Sequence, residues 1–121
     1  MARNYLQKRV ASFGYALAGI FAFVKSEPHA RIHAVATVLV VGAGCWWQVT
    51  KSDWLWLLWA MALVWITEML NTVIEKTMDH ISPEIHPRVG FIKDLAAGAV
   101  LVAALAAAIT GGCIFWPYIF H

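Results

Sequence analysis

Three stretches of this chain are free, or nearly free, of Lys, Arg, Asp and Glu, and each is long enough to cross a membrane. Ile32 to Thr50 runs for 19 residues with His33 as its one basic group, Trp54 to Ile74 for 21 interrupted by Glu68, and Leu95 to His121 for 27 without a formal charge. At 1.5 Å per residue, a helix of about 20 residues covers a hydrocarbon core of about 30 Å. A soluble globule is excluded by composition. Of 121 residues, 61% are hydrophobic and 13% charged, about half the ~25% charged fraction of soluble domains, and the mean hydropathy is +0.67. A chain this short has too much surface to hide that much apolar side chain. The same composition, with two cysteines, excludes a disordered tail, a collagen-like repeat and a disulfide-stapled miniprotein.

Lys and Arg in short loops are retained on the cytoplasmic side. Arg3, Lys8, Arg9, Lys25 and Arg31 precede the first stretch, and Lys76, Arg88 and Lys93 fall between the second and third; Lys51 lies in the other turn. The N-terminus and the 76–94 segment are therefore expected inside, and the Lys51-Ser52-Asp53 turn and the C-terminus outside. Trp46, Trp47, Trp54, Trp56, Trp116 and Tyr118 then form an outer aromatic belt. Val10 to Val24 is uncharged and follows basic residues, so its length alone also suits a signal peptide. However, Leu6, Val10, Phe13, Leu17, Ile20, Phe21 and Val24 recur at spacings of three and four, the stripe of an amphipathic helix lying in the cytoplasmic headgroup layer. Glu27-Pro28 breaks that helix from the first span. The expected fold is an all-α integral membrane domain over residues 1–121. A surface helix covers about 4–25, and three transmembrane helices cover about 30–50, 54–78 and 92–118. Alanine enrichment makes the third span slim, which suits close helix packing.

The acids have no structural excuse. Glu27, Glu68, Glu75, Asp79, Glu84 and Asp94 all fall on the inner side or in the inner half of a span. Glu68, Asn71, Thr72, Glu75 and Asp79 lie at offsets of 0, 3, 4, 7 and 11, which at about 100° per residue is one polar stripe. Glu68 sits about 10 Å deeper than Glu75, where a carboxylate costs about 2.5–3.5 kcal/mol on insertion scales. Acids at the membrane boundary with an Asn among them, beside the adjacent Lys93-Asp94 pair, suit a Mg²⁺–polyphosphate substrate. The deeper carboxylate suits accepting a proton from a hydroxyl at headgroup depth. Spacing alone also admits a structural hydrogen bond between helices, a proton relay or a small transporter using Glu68 as its carrier.

Specific motifs narrow the choice. Ser12-Phe13, Tyr15-Ala16, Gly19-Ile20, Glu27 with Arg31-Ile32-His33, Glu68-Met69-Leu70-Asn71-Thr72-Val73-Ile74-Glu75 with Asp79, and Lys93-Asp94-Leu95-Ala96-Ala97-Gly98-Ala99-Val100-Leu101 resemble the prokaryotic integral-membrane diacylglycerol kinase family, which includes undecaprenol kinases. The resemblance covers about residues 8–105. It implies a homotrimer in the bacterial cytoplasmic (inner) membrane, with sites composed between subunits. The implied reaction is ATP- and Mg²⁺-dependent transfer of the γ-phosphoryl to a membrane lipid alcohol, diacylglycerol to phosphatidic acid, or alternatively undecaprenol to undecaprenyl phosphate. By motif position, Glu68 resembles the general base and Asn71 its catalytic neighbour, while Glu27 and Glu75 resemble the metal ligands. Lys8, Arg9, Tyr15, Glu84, Ile85, His86, Lys93 and Asp94 correspond to nucleotide contacts. Ser12, Gly19, Arg31, His33 and Ala97, with Glu68, correspond to acceptor contacts.

The chain has no G-x-x-x-x-G-K-[ST] and no kinase Gly-rich loop, so phosphates are not cradled as in soluble kinases. Family members that act on diacylglycerol carry an arginine where Lys8 stands and an acid where His33 stands. Arg-Ile-His and the Ala-Ala-Gly-Ala-Val-Leu stretch are more similar to the undecaprenol branch. Cys45 and Cys113 read as free thiols, His29, His80 and His121 lack metal-ligand spacing, and the basic residues track topology and do not point to nucleic acid. The topology has a direct test in a background without native cysteines. A thiol introduced by Ser52→Cys is expected to react with an impermeant maleimide in intact cells, and one introduced by Ser82→Cys only after permeabilisation.

Overall fold

The computed structural model describes residues 4–82, 84 and 86–121, and among them all regular structure is helical. Four helices follow in order: α1 Tyr5–Ser26, α2 Pro28–Trp46, α3 Lys51–Ile81 and α4 Pro87–Ile119. The chain divides into two compact units, Met1–Ala34 and Val35–His121.

In the first unit, α1 starts at a capping box. Asn4 Oδ1 accepts from the Gln7 amide at 2.8 Å and Gln7 Oε1 accepts from the Asn4 amide at 3.1 Å, which satisfies two of the donors a helix start leaves open. Leu6, Val10, Phe13, Leu17 and Phe21 all lie exposed along one side. The side chain of α1 that is buried is Phe23, which lies off that stripe. Glu27 joins α1 to α2: its amide donates to Phe23 O at 3.0 Å and its carbonyl accepts from Ala30 N at 3.1 Å. Pro28 then opens α2, where its missing N–H removes nothing the helix needs.

In the second unit, α2 ends four residues before the expected boundary. Gln48 takes a left-handed φ of 49°, and the amides of Gln48 and Val49 donate to the carbonyls of Cys45 and Gly44 at 3.3 and 3.1 Å. These two bonds make a Schellman motif, with buried Val49 as its hydrophobic partner. Thr50 then caps α3, its hydroxyl accepting from Asp53 N at 3.1 Å while Asp53 Oδ2 accepts from Thr50 N at 3.3 Å. Because that box sits ahead of Lys51, α3 begins before the apolar run does, and it continues to Ile81. His86 caps α4 and Pro87 occupies its first position, which starts this helix ahead of the expected 92.

α3 and α4 pack as an antiparallel pair. The direction is fixed at both ends: Tyr118 Oη donates to Asp53 Oδ2 at 3.1 Å and Lys93 Nζ to Asp79 Oδ1 at 2.5 Å. The inward positions of α4 include Lys93, Ala96, Val100, Ala103, Ala107, Thr110, Ile114 and Tyr118, spaced by three or four as in a close helix seam. Small side chains at Ala96, Ala103 and Ala107 let the backbones approach. The indole of Trp65 ties α3 to α2 through a 2.8 Å bond from Nε1 to Thr37 Oγ1. Among the described helices, α3 and α4 are long and apolar enough to cross a membrane. α2 has 19 residues and carries His29, Arg31 and His33 near its start. Only 6% of the apolar window of α4 is buried within the chain, the reverse of a soluble protein's core helix.

Gly44 is buried where α2 meets Trp54, and a Cβ there would come within 2.5–3.0 Å of three indole atoms. Gly44→Ala is expected to lower stability by about 1–3 kcal/mol, as overpacking does. Gly42→Ala, whose Cβ meets nothing within 4 Å, is expected to be neutral or up to about 1 kcal/mol stabilising. Thermal melts in detergent compare the two.

Candidate active site

The polar stripe of α3 passes from buried to exposed along its length. Glu68 is 6% exposed and Asn71 9%, whereas Glu75 and Asp79 are exposed. Helical periodicity alone puts these four on one face. The burial gradient makes that face a track from the apolar interior of the unit to the connection after Ile81. At the deep end, Asn71 Nδ2 donates to Glu75 Oε1 at 3.5 Å. That contact points the amide oxygen the other way, and Asn71 Oδ1 is buried with no hydrogen-bond partner among the described residues. An unpaired buried amide oxygen costs about 1–3 kcal/mol, so this atom is an acceptor or metal ligand in waiting.

At the exposed end lies a small cleft. Asp79 and Ser82 at the close of α3, Glu84 and His86 in the connection, and Gly90 and Lys93 on α4 surround a volume of about 170 Å³. A pocket for a whole drug-sized ligand is about 300–1,000 Å³, so the cleft within this chain matches a phosphate-sized group. His86 Nδ1 accepts from the Arg88 amide at 3.1 Å as the cap of α4. In the neutral ring Nε2 therefore carries the proton and is a donor. A larger hollow of about 480 Å³ lies beside Ile109, Cys113, Trp116 and Pro117, about 24 Å or more along α4 from Lys93 at 1.5 Å per residue. Its lining carries no carboxylate, amide side chain or cation for phosphoryl transfer, so size does not locate the site here.

The structure brings Glu68, Asn71, Glu75 and Asp79 onto one face and joins Asp79 to Lys93. Asp94 and Ala97 are exposed on α4 away from that seam. Ile85 lies outside the described residues. In the other unit, Lys8, Ser12, Tyr15, Gly19 and Arg31 are exposed, and Glu27 and His33 are half-buried. The Ser12 hydroxyl is turned back on its own helix, donating to Lys8 O at 2.9 Å. The Arg9 guanidinium lies 4.9 Å from the centre of the Tyr5 ring, a cation–π contact between residues one turn apart. The ion pair of Asp79 with Lys93 depends on the register of two helices, which spacing along one helix does not reveal.

Glu75 and Asn71 Oδ1 are oxygen donors of the kind Mg²⁺ takes. Among the described residues no three His, Cys, Asp or Glu side chains converge as a closed metal cage. Mg²⁺ bound by one or two carboxylates would leave its other positions to water and substrate phosphate.

The family model described as prokaryotic diacylglycerol kinase matches residues 14–115. The chain belongs to the prokaryotic diacylglycerol kinase family and is a lipid kinase. It is 35% identical over 115 residues, 95% of this chain and 94% of the relative, to an undecaprenol kinase of Bacillus subtilis (strain 168). It is 34% identical over 109 residues, 90% of this chain and 89% of the relative, to a diacylglycerol kinase of Escherichia coli (strain K12). A diacylglycerol kinase of Synechocystis sp. is 37% identical over 109 residues, 89% of this chain and 62% of that longer relative.

Asn71→Leu separates function from folding. Removing a buried amide with an unpaired oxygen is expected to leave the melting temperature unchanged or raised, while phosphoryl transfer falls by about 100-fold or more, a barrier change of about 2.7 kcal/mol.

Proposed function

We propose that this chain transfers the γ-phosphoryl of ATP to the hydroxyl of diacylglycerol at the cytoplasmic surface of a bacterial membrane, yielding phosphatidic acid. The observation that carries the reading is the track on α3 from buried Glu68 to the exposed Asp79–Lys93 pair. One end suits a hydroxyl held in the lipid, and the other a phosphate arriving from water. In this reading Glu68 accepts the hydroxyl proton as the oxygen attacks phosphorus in line, while Asn71 orients the reacting groups. Glu75 would hold the Mg²⁺ that the phosphates carry, with Glu27 as the second carboxylate ligand. Mg²⁺, when bound, neutralises phosphate oxygens. Lys93 and the Nε2 proton of His86 meet the phosphate chain, with Glu84, Ile85, Asp94, Tyr15 and the Lys8-Arg9 pair as further nucleotide contacts.

In the same proposal α2 crosses the membrane as a third span, α1 lies in the inner headgroup layer, and three copies form a trimer with sites shared between subunits. The exposed apolar residues of α1 support its surface position. The small size of the cleft within one chain supports a shared site. The second reading, undecaprenol as the acceptor, is favoured by His33 and Lys8, which depart from the diacylglycerol pattern, and by the relative named for that activity.

Purified protein in lipid with Mg²⁺ and γ-labelled ATP is expected to label diacylglycerol in preference to undecaprenol. The opposite preference supports the second reading, and labelling of neither lipid overturns both. Glu68→Gln is expected to reduce transfer by at least about 1,000-fold, or about 4 kcal/mol of barrier, with helicity and assembly unchanged. Wild-type turnover in that variant removes Glu68 from the chemistry.

A further inference from the structure

Asp79 stands third from the end of α3, whose last helical residue is Ile81. The last turn of a helix is the negative end of its dipole, where an anionic side chain is unfavourable. Asp79 does not cap the helix either: Ser82 occupies the cap, and its amide donates to Met78 O at 2.8 Å. The carboxylate instead bonds Lys93 Nζ across the seam. The pair is 65% exposed on the aspartate side and 35% on the lysine side, so it adds little to stability. An acid in an unfavourable helix position that contributes little to folding calls for another explanation.

The geometry supplies one. Lys93 has a flexible four-carbon stem, and its ammonium has three donors. Left alone, it would sample solvent above the cleft. Asp79 takes one donor and holds the ammonium at the cleft's rim, beside Ser82, Glu84, His86 and Gly90, with two donors left for an incoming anion. We infer that Asp79 is a positioning residue, preorganising Lys93 to receive the phosphate chain of the nucleotide. The inference rests on the proposed role of Lys93 as a phosphate contact. Holding a side chain in its bound geometry beforehand strengthens binding by cutting the ordering cost, so the effect falls on nucleotide affinity and not on the chemical step.

The test measures KM for ATP and kcat separately, at fixed Mg²⁺ and saturating lipid, for full-length protein in bilayers. Asp79→Asn is expected to raise KM for ATP about tenfold with kcat within about twofold. Asp79→Glu, which keeps a carboxylate in reach, restores most of the affinity. In a Lys93→Ala background, Asp79→Asn produces no further increase, because the two act as one unit. A merely structural link would lower the melting temperature of Asp79→Asn and reduce kcat, without rescue by Glu, and that result overturns the inference. If Lys93→Ala raises KM while Asp79→Asn does not, the inference alone fails. If Lys93→Ala leaves KM unchanged, the phosphate role of Lys93 fails and the inference falls with it.

Discussion

The antiparallel register of α3 against α4 is the constraint on which the second unit depends. In lipid there is no hydrophobic force to drive two apolar helices together, so close contact and a few polar ties must do it. The small inward residues of α4 supply the contact. Tyr118–Asp53 supplies a tie at one end of the pair, and at the other end the register brings Lys93 to Asp79. Slide one helix by a turn and Lys93 leaves Asp79, the cleft loses its cation, and the buried stripe of α3 no longer ends beside a group able to meet phosphate.

Along that fixed pair, polarity is graded. Glu68 and Asn71 are buried and Asp79 is exposed, so one helix face runs from the interior of the unit to its surface, and in the proposed reading it joins the lipid acceptor to the water-borne nucleotide. Membership of the prokaryotic diacylglycerol kinase family accords with this division of labour. The sequence carries no soluble kinase's phosphate loop, and in the proposed reading Lys93 and His86 meet the phosphates instead.

Much of this was legible in the sequence, for identifiable reasons. A carboxylate in an apolar run is conspicuous because burying it is expensive, and helical periodicity then groups Glu68, Asn71, Glu75 and Asp79 without any knowledge of the fold. Helix ends were less legible. The Schellman turn at Gln48 uses a residue with no special preference for left-handed φ, and the Thr50 box recruits Lys51 and Ser52 into α3 although they look like a loop. The burial of Phe23, off the stripe of α1, is a tertiary effect that no local pattern encodes. The Asp79–Lys93 pair was hidden for a similar reason, since it depends on the register of α4 against α3.

The periphery of the paired helices has a different evolutionary latitude from their seam. Where outward positions such as Leu105 and Ile109, exposed on this chain, meet fluid acyl chains, which have no fixed shape to match, Leu, Ile, Val and Phe are interchangeable. Ala96 and Ala103 are buried on α4, where a larger side chain has to be accommodated by moving the helices apart. Drift over generations should therefore scramble the greasy exterior while leaving a thin line of alanines untouched, a pattern opposite to that of water-soluble enzymes, whose interiors tolerate volume-conserving swaps and whose surfaces stay polar.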